Sequence, residues 1–216
     1  MNAEKILQKL LGIYLVFTGF LLPLYIPDGY RNIAEDKFIL FRNITAVLIA
    51  AAVILVIIGR KNIRIRKISL TDKAVLIYWA SMTVSFFGSV NRSHALFGEV
   101  IWRMGYLTQC MCLVLYFIYA HLYKWNRNSL YLLLSGSFFV NILALLNRFG
   151  ILIFDEMASG TDAVSTIGNI NWLAGYLSVM VPAAVCLYLT CTDRKESYLL
   201  TAYMAAAFPA LIVNGS

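Results

Sequence analysis

The sequence is poor in charge. Of its 216 residues, 13% are Asp, Glu, Lys or Arg, where a soluble domain carries about 25%. That shortage excludes an ordinary water-soluble globule. Histidine is scarcer still: His94 and His121 are the only two, and two distant histidines make no zinc pattern. The four cysteines are Cys110, Cys112, Cys186 and Cys191, all in or at the edges of apolar blocks. Cys110 and Cys112 stand at i and i+2, which point to different faces of a helix. This spacing argues against a metal pair or a disulfide and leaves free thiols that pack as small hydrophobes. A phosphate-binding P-loop is lacking, and so is a G-x-S-x-G nucleophile turn. There is no internal repeat, no low-complexity tract, and no loop long enough to fold as a soluble module.

Apolar residues take the place of the missing charge. They make up 61% of the chain, and the mean hydropathy is +0.75. They fall in blocks long enough to cross a bilayer, which takes roughly 20 residues per helix. The expected fold is all-α: a polytopic membrane helix bundle of about seven spans, forming one membrane-embedded domain over residues 1–216. The spans read approximately as 10–26, 38–58, 74–90, 101–122, 130–146, 171–189 and 199–213. Lys5 and Lys9 precede the first span, but no small-residue cleavage site follows it, so it reads as a retained signal-anchor.

The formal net charge is +7. In a soluble protein such a balance suggests nucleic acid. In a membrane protein it reflects the collection of basic residues in cytoplasmic loops, so membrane lipids are expected as partners and nucleic acid is not. "GRKNIRIRK" (59–67) is the densest basic loop. Placing it inside puts the N-terminus in the cytoplasm, with twelve of the 18 Lys and Arg inside and six outside. Two segments then share the outer face: "NRSHALFGEVIWRMGY" (91–106) and "NRFGILIFDEMASGTDAVSTIGNIN" (147–171). Each leads into a helix whose N-terminus points outward, the end that favours anions.

Arg103 stands at the mouth of the fourth span, with two readings open. It pairs with an anion such as phosphate, which its planar fork fits, or it anchors at the interface with an ion pair to Glu99. Arg92 and His94 lie in the same segment, His94 as a solvated loop residue or a base. Asp155, Glu156 and Asp162 are carboxylates that either serve as a base or keep their loop soluble. His121 falls near the inner end of the fourth span, and Arg148 reads as an anchor at the outer end of the fifth. Asn169 or Asn171 can accept from the first-turn N–H groups of the sixth span, and Gly168 permits a tight entry.

"TIGNINWLAGYL" (166–177) has the form G-N-x-N-x-L-A-x-Y-L and runs on to Pro182. It resembles a segment of the O-antigen ligase superfamily of bacterial membrane proteins, with Ile170 where many members have proline. "FGEVIWRMGYLTQ" (97–109), with Gly98, Arg103 and Gly105, is similar to the family's arginine-and-glycine segment. "LIVNGS" is similar to the apolar run before the family's Ser-Arg-Gly signature. The three come in the family's order and cover roughly the last 120 residues. The resemblance implies a multi-pass glycosyltransferase of the bacterial cytoplasmic membrane. Such an enzyme moves a glycan from an undecaprenyl-diphosphate carrier to a lipid, sugar polymer or protein acceptor on the outer face. It implies a ligase or polymerase of cell-envelope polysaccharide, with no cofactor and no metal. Arg103 would be the catalytic cation, with Gly168, Asn169, Asn171 and Arg92 binding substrate. The family's base is a histidine in a later outer loop that neither His94 nor His121 matches, so these residues are expected to be the N-terminal portion of a longer protein. Two other classes stay open: a transporter or flippase, and a non-catalytic scaffold of envelope assembly.

Overall fold

The computed structural model describes residues 3–27, 30, 32–60, 63, 65–99, 103–151, 153 and 163–215. Among them the chain is helical and forms no strand. The helices are α1 (Ala3–Leu24), α2 (Ile33–Gly59), α3 (Leu70–Phe87), α4 (Arg92–Phe97), α5 (Tyr106–Leu122), α6 (Arg127–Arg148), α7 (Ile170–Leu189) and α8 (Arg194–Asn214). Five of these, α1, α2, α6, α7 and α8, are long and apolar enough to cross a membrane. Helix α5 is apolar but has only 17 residues. Helix α3 has 18, and Thr71, Asp72, Lys73, Ser81, Thr83 and Ser85 dilute its hydropathy.

The apolar surface faces outward. Only 17% of the most apolar stretch of α2 is buried within the protein, and Val47 and Ile58 are more than 70% exposed. In water each exposed Å² of such surface would forgo about 25 cal/mol; against hydrocarbon it forgoes nothing, so these are the faces of a multi-pass membrane protein.

The chain divides into two compact units, one of Met1–Tyr14 with Phe38–Trp125, the other of Leu15–Lys37 with Asn126–Ser216. In the first, Leu7, Leu11 and Tyr14 repeat at helical spacing on α1 and are buried. The Tyr119 hydroxyl donates to the Leu11 carbonyl at 2.8 Å. Gln8 satisfies the end of α5: its amide donates to the Leu122 carbonyl at 2.7 Å and accepts from the Lys124 N–H at 2.9 Å.

In the second unit, Leu173, Leu177, Val181, Ala184 and Leu187 of α7 form a buried stripe with Leu200, Tyr203, Ala207 and Ala210 of α8 and Leu134, Val140 and Ala144 of α6. Small residues let these helices approach closely, as membrane helices require when lipid is as apolar as leucine. One close approach is Gly136 on Gly19 of α1: a Cβ at Gly136 would lie 1.8 Å from the Gly19 carbonyl oxygen. That carbonyl belongs to a π-turn, Phe17–Leu21. Pro23 supplies the cause, since a proline ring clashes with the carbonyl four residues back and has no N–H to bond it. At the other end of α6, Arg127 donates to the Leu187 carbonyl at 2.9 Å and pairs with Glu196, which also accepts from Tyr131. One guanidinium thus joins α6 to the last turn of α7 and the first of α8.

Candidate functional site

In the first unit the segment before α5 is not the helical mouth that the spacing predicts. Helix α5 begins at Tyr106, and a short helix, α4, precedes it. Arg103 therefore lies outside any helix. The reason is a contact between two glycines. A Cβ on Gly105 would sit 2.3 Å from the Gly98 nitrogen and 2.5 Å from the Leu96 carbonyl oxygen. Gly98 has φ +76, a conformation that favours glycine. The chain returns to touch itself there, and the helix cannot start earlier.

Arg103 has φ +46, which costs a non-glycine residue about 1–2 kcal/mol. Its N–H donates to the Glu99 carbonyl at 2.7 Å, and its own carbonyl accepts from the Thr108 hydroxyl at 2.6 Å. The side chain is partly exposed. Gly105 stands at the N-cap of α5, where no side chain caps the first turn. Arg92 opens α4 and is exposed. Asn91 caps that helix through the His94 N–H at 3.1 Å. The His94 Nε2 lies 3.4 Å from the Glu99 carboxylate. Arg92, His94, Glu99 and Arg103 thus share one segment of the first unit.

Gly168, Asn169 and Asn171 belong to the second unit. Gly168 has φ +88, and a Cβ on it would meet the Ile33 Cγ2 at 2.8 Å. It ends a short 3₁₀ turn, Ser165–Ile167, and passes the chain to Asn169 at the N-cap of α7. The Asn169 Oδ1 accepts from the N–H groups of Asn171 at 2.8 Å and Trp172 at 3.4 Å. Capping is thus the work of Asn169, and Asn171 contributes a backbone N–H while its side chain is exposed. Because the cap takes these donors, α7 offers an anion its dipole more than free N–H groups.

The residues that lead into this turn and begin it are buried, which the reading of an outer loop did not anticipate. Ala163, Val164, Ser165 and Thr166 are all inside the second unit. Ser165 has φ +52. Its N–H donates to Asn147 Oδ1 at 3.0 Å, its hydroxyl donates to the Val140 carbonyl at 2.7 Å, and its carbonyl accepts from the Tyr30 hydroxyl. The Lys37 ammonium donates to the Thr166 carbonyl at 2.6 Å and to the Pro23 carbonyl at 2.8 Å. The Asn214 amide donates to the Ile170 carbonyl at 3.0 Å. Tyr30, Lys37, Asn147 and Asn214 are the residues that sequence reasoning missed. The available signal was the absence of charge from 163 to 170, which suits a buried segment better than a solvated loop.

A second polar cluster surrounds Asp72 in the first unit. The carboxylate is buried and accepts from the Ser69 N–H at 2.6 Å, the Ser69 hydroxyl at 2.7 Å and the Tyr116 hydroxyl at 2.7 Å. His121 is also buried there, its Nε2 3.3 Å from Asp72 and its Nδ1 2.9 Å from the Arg66 carbonyl. Ser69 and Asp72 form a capping box, and the S-x-x-D spacing that announces it was legible in the sequence. Asp155, Glu156 and Asp162 lie outside the described residues.

No family model, no curated protein and no solved structure matches the chain.

Proposed function

We propose that this chain is a membrane glycosyltransferase of the O-antigen ligase type, acting on a lipid-linked glycan at the outer face of the bacterial cytoplasmic membrane. In this reading the chain has seven spans, α3 and α5 included, and its N-terminus is cytoplasmic. The acceptor hydroxyl attacks the anomeric carbon of the donor sugar. The bond from that carbon to the diphosphate oxygen breaks, a new C–O bond forms, and the acceptor's proton leaves to a base not assigned to any residue here. The departing diphosphate gains negative charge. Arg103 stabilises it, as fixed cations do for developing oxyanions, and Arg92, in the same segment, binds substrate.

The observation that carries this reading is the backbone of Arg103. A strained, partly exposed arginine stands three residues ahead of an apolar helix whose first turn has no side-chain cap. Strain of this kind persists where surrounding structure fixes it, and it clusters at ligand sites. The test is a deletion strain complemented with Arg103→Ala at normal protein level. The expected result is a surface-polysaccharide ladder altered as in the deletion; a wild-type ladder would remove Arg103 from the mechanism.

A transport role is the second reading. It is favoured by Asn141, a fully buried amide in α6, because buried polar groups within membrane helices often mark permeation paths. Glycan flipping in reconstituted vesicles, with no transfer product, would select it.

A further inference from the structure

We infer that Lys37 is an anion-binding residue of the second unit, holding a phosphate-class oxygen with the N–H that its two carbonyl partners leave over. An ammonium has three donors and no acceptor. Two are taken, by the Thr166 carbonyl at 2.6 Å and the Pro23 carbonyl at 2.8 Å. Among the described residues no carboxylate pairs with Lys37. The side chain is neither fully buried nor free in solvent. Partial desolvation disfavours a cation whose described partners are two carbonyl dipoles, and an anion is the group that compensates the charge.

The position is fixed from both sides. Ile33 and Lys37 stand at i and i+4, one face of the first turns of α2. Ile33 packs on Gly168, where any Cβ would collide with it, and Lys37 bonds to Thr166. The ammonium is therefore tied to the same turn that delivers the chain to Asn169 and α7. The positive end of the α7 dipole adds to its field. Lysine is a compact point charge that suits a single phosphate oxygen, where a flat guanidinium would grip two. The anion comes either from a lipid diphosphate or from a free phosphate in solution; the inference rests on the function proposed above only for preferring the lipid.

The test uses the protein in lipid nanodiscs, with two probes: a polyprenyl diphosphate in the disc and inorganic pyrophosphate in solution. Lys37→Met keeps the stem and removes the charge, and should weaken binding of the effective probe about tenfold or more, as loss of a charge-assisted hydrogen bond does. Lys37→Arg should retain most of the binding. Equal affinity in Lys37→Met and the wild type overturns the inference. Should Lys37→Met not fold, acylation of lysines in the wild type, read by mass spectrometry, decides. A probe that binds at Lys37 slows its labelling about tenfold and leaves the exposed Lys5 and Lys9 unchanged; unslowed labelling with both probes overturns the inference. Slowing by the lipid alone or by pyrophosphate alone supports it and names the source. An unaltered polysaccharide ladder on deletion would sink the glycosyltransferase reading and leave this result standing.

Discussion

Arg103 and Ser165 are the two non-glycine residues at positive φ among the described residues, one in each unit. Each stands a few residues ahead of an apolar helix, α5 or α7. Around Ser165 the strain is offset within the fold: its N–H, hydroxyl and carbonyl all find partners in a buried site. Around Arg103 the backbone is tied, yet the side chain reaches the surface. The same backbone conformation thus serves two ends. At Ser165 it closes a polar plug, and at Arg103 it holds a partly exposed cation just ahead of α5.

The strongest way to break this comparison is at the glycine contact behind Arg103. Gly105→Val places carbon against backbone atoms that cannot move aside, so a loss of about 3 kcal/mol or more is expected. Thermal unfolding in detergent should show little folded protein; a wild-type melt would mean that the two glycines do not touch. Next comes the plug. Asn147→Leu leaves the buried Ser165 N–H without its acceptor, and a loss of about 2 kcal/mol should appear in the same melt.

Asn169 and Asn171 give a smaller and sharper pair. Asn169→Ala removes the α7 cap and should cost about 1 kcal/mol. Asn171→Ala should change the melt by no more than a few tenths, since only its backbone N–H is used. Equal costs would contradict the assignment of the cap. A small net change in stability is expected at Arg103→Gly as well. Relief of strain and the added freedom of the unfolded chain nearly cancel, leaving the melt within about 1 kcal/mol of wild type. Ser165→Gly should be less stable than Arg103→Gly, because it also loses the hydroxyl bond to Val140. If the two glycine variants melt alike, the contrast between the plug and the partly exposed cation is lost.

Much of the architecture was legible because lipid imposes a simple rule. A span needs a run of apolar residues, and such runs are local in sequence. Each of the five long apolar helices overlaps one of the blocks that hydropathy marks, though most run a few residues beyond it. Boundaries were less legible: the helix at 101–122 starts at Tyr106, because two glycines seven residues apart meet in space. Nothing local to Gly98 announces Gly105 as its neighbour. The burial of 163–166 was missed for the same reason, since its partners are Tyr30, Lys37, Val140 and Asn147.

By itself the sequence determined that this chain is a helical protein with apolar faces suited to a membrane, since charge scarcity and block length leave little else. It also marked Gly168, with Asn169 or Asn171, as a helix entry, because a cap is a matter of residues adjacent in the chain. Only the tertiary structure decided that Arg103 stands in strained backbone outside its helix, that Ser165 is sealed in a plug, and that Lys37 meets the carbonyl of Thr166. The first depends on two glycines seven residues apart meeting in space, and the other two on side chains finding backbone carbonyls more than a hundred residues away. In a bilayer an unpaired polar group is costly enough that folding must supply these partners, wherever in the chain they lie.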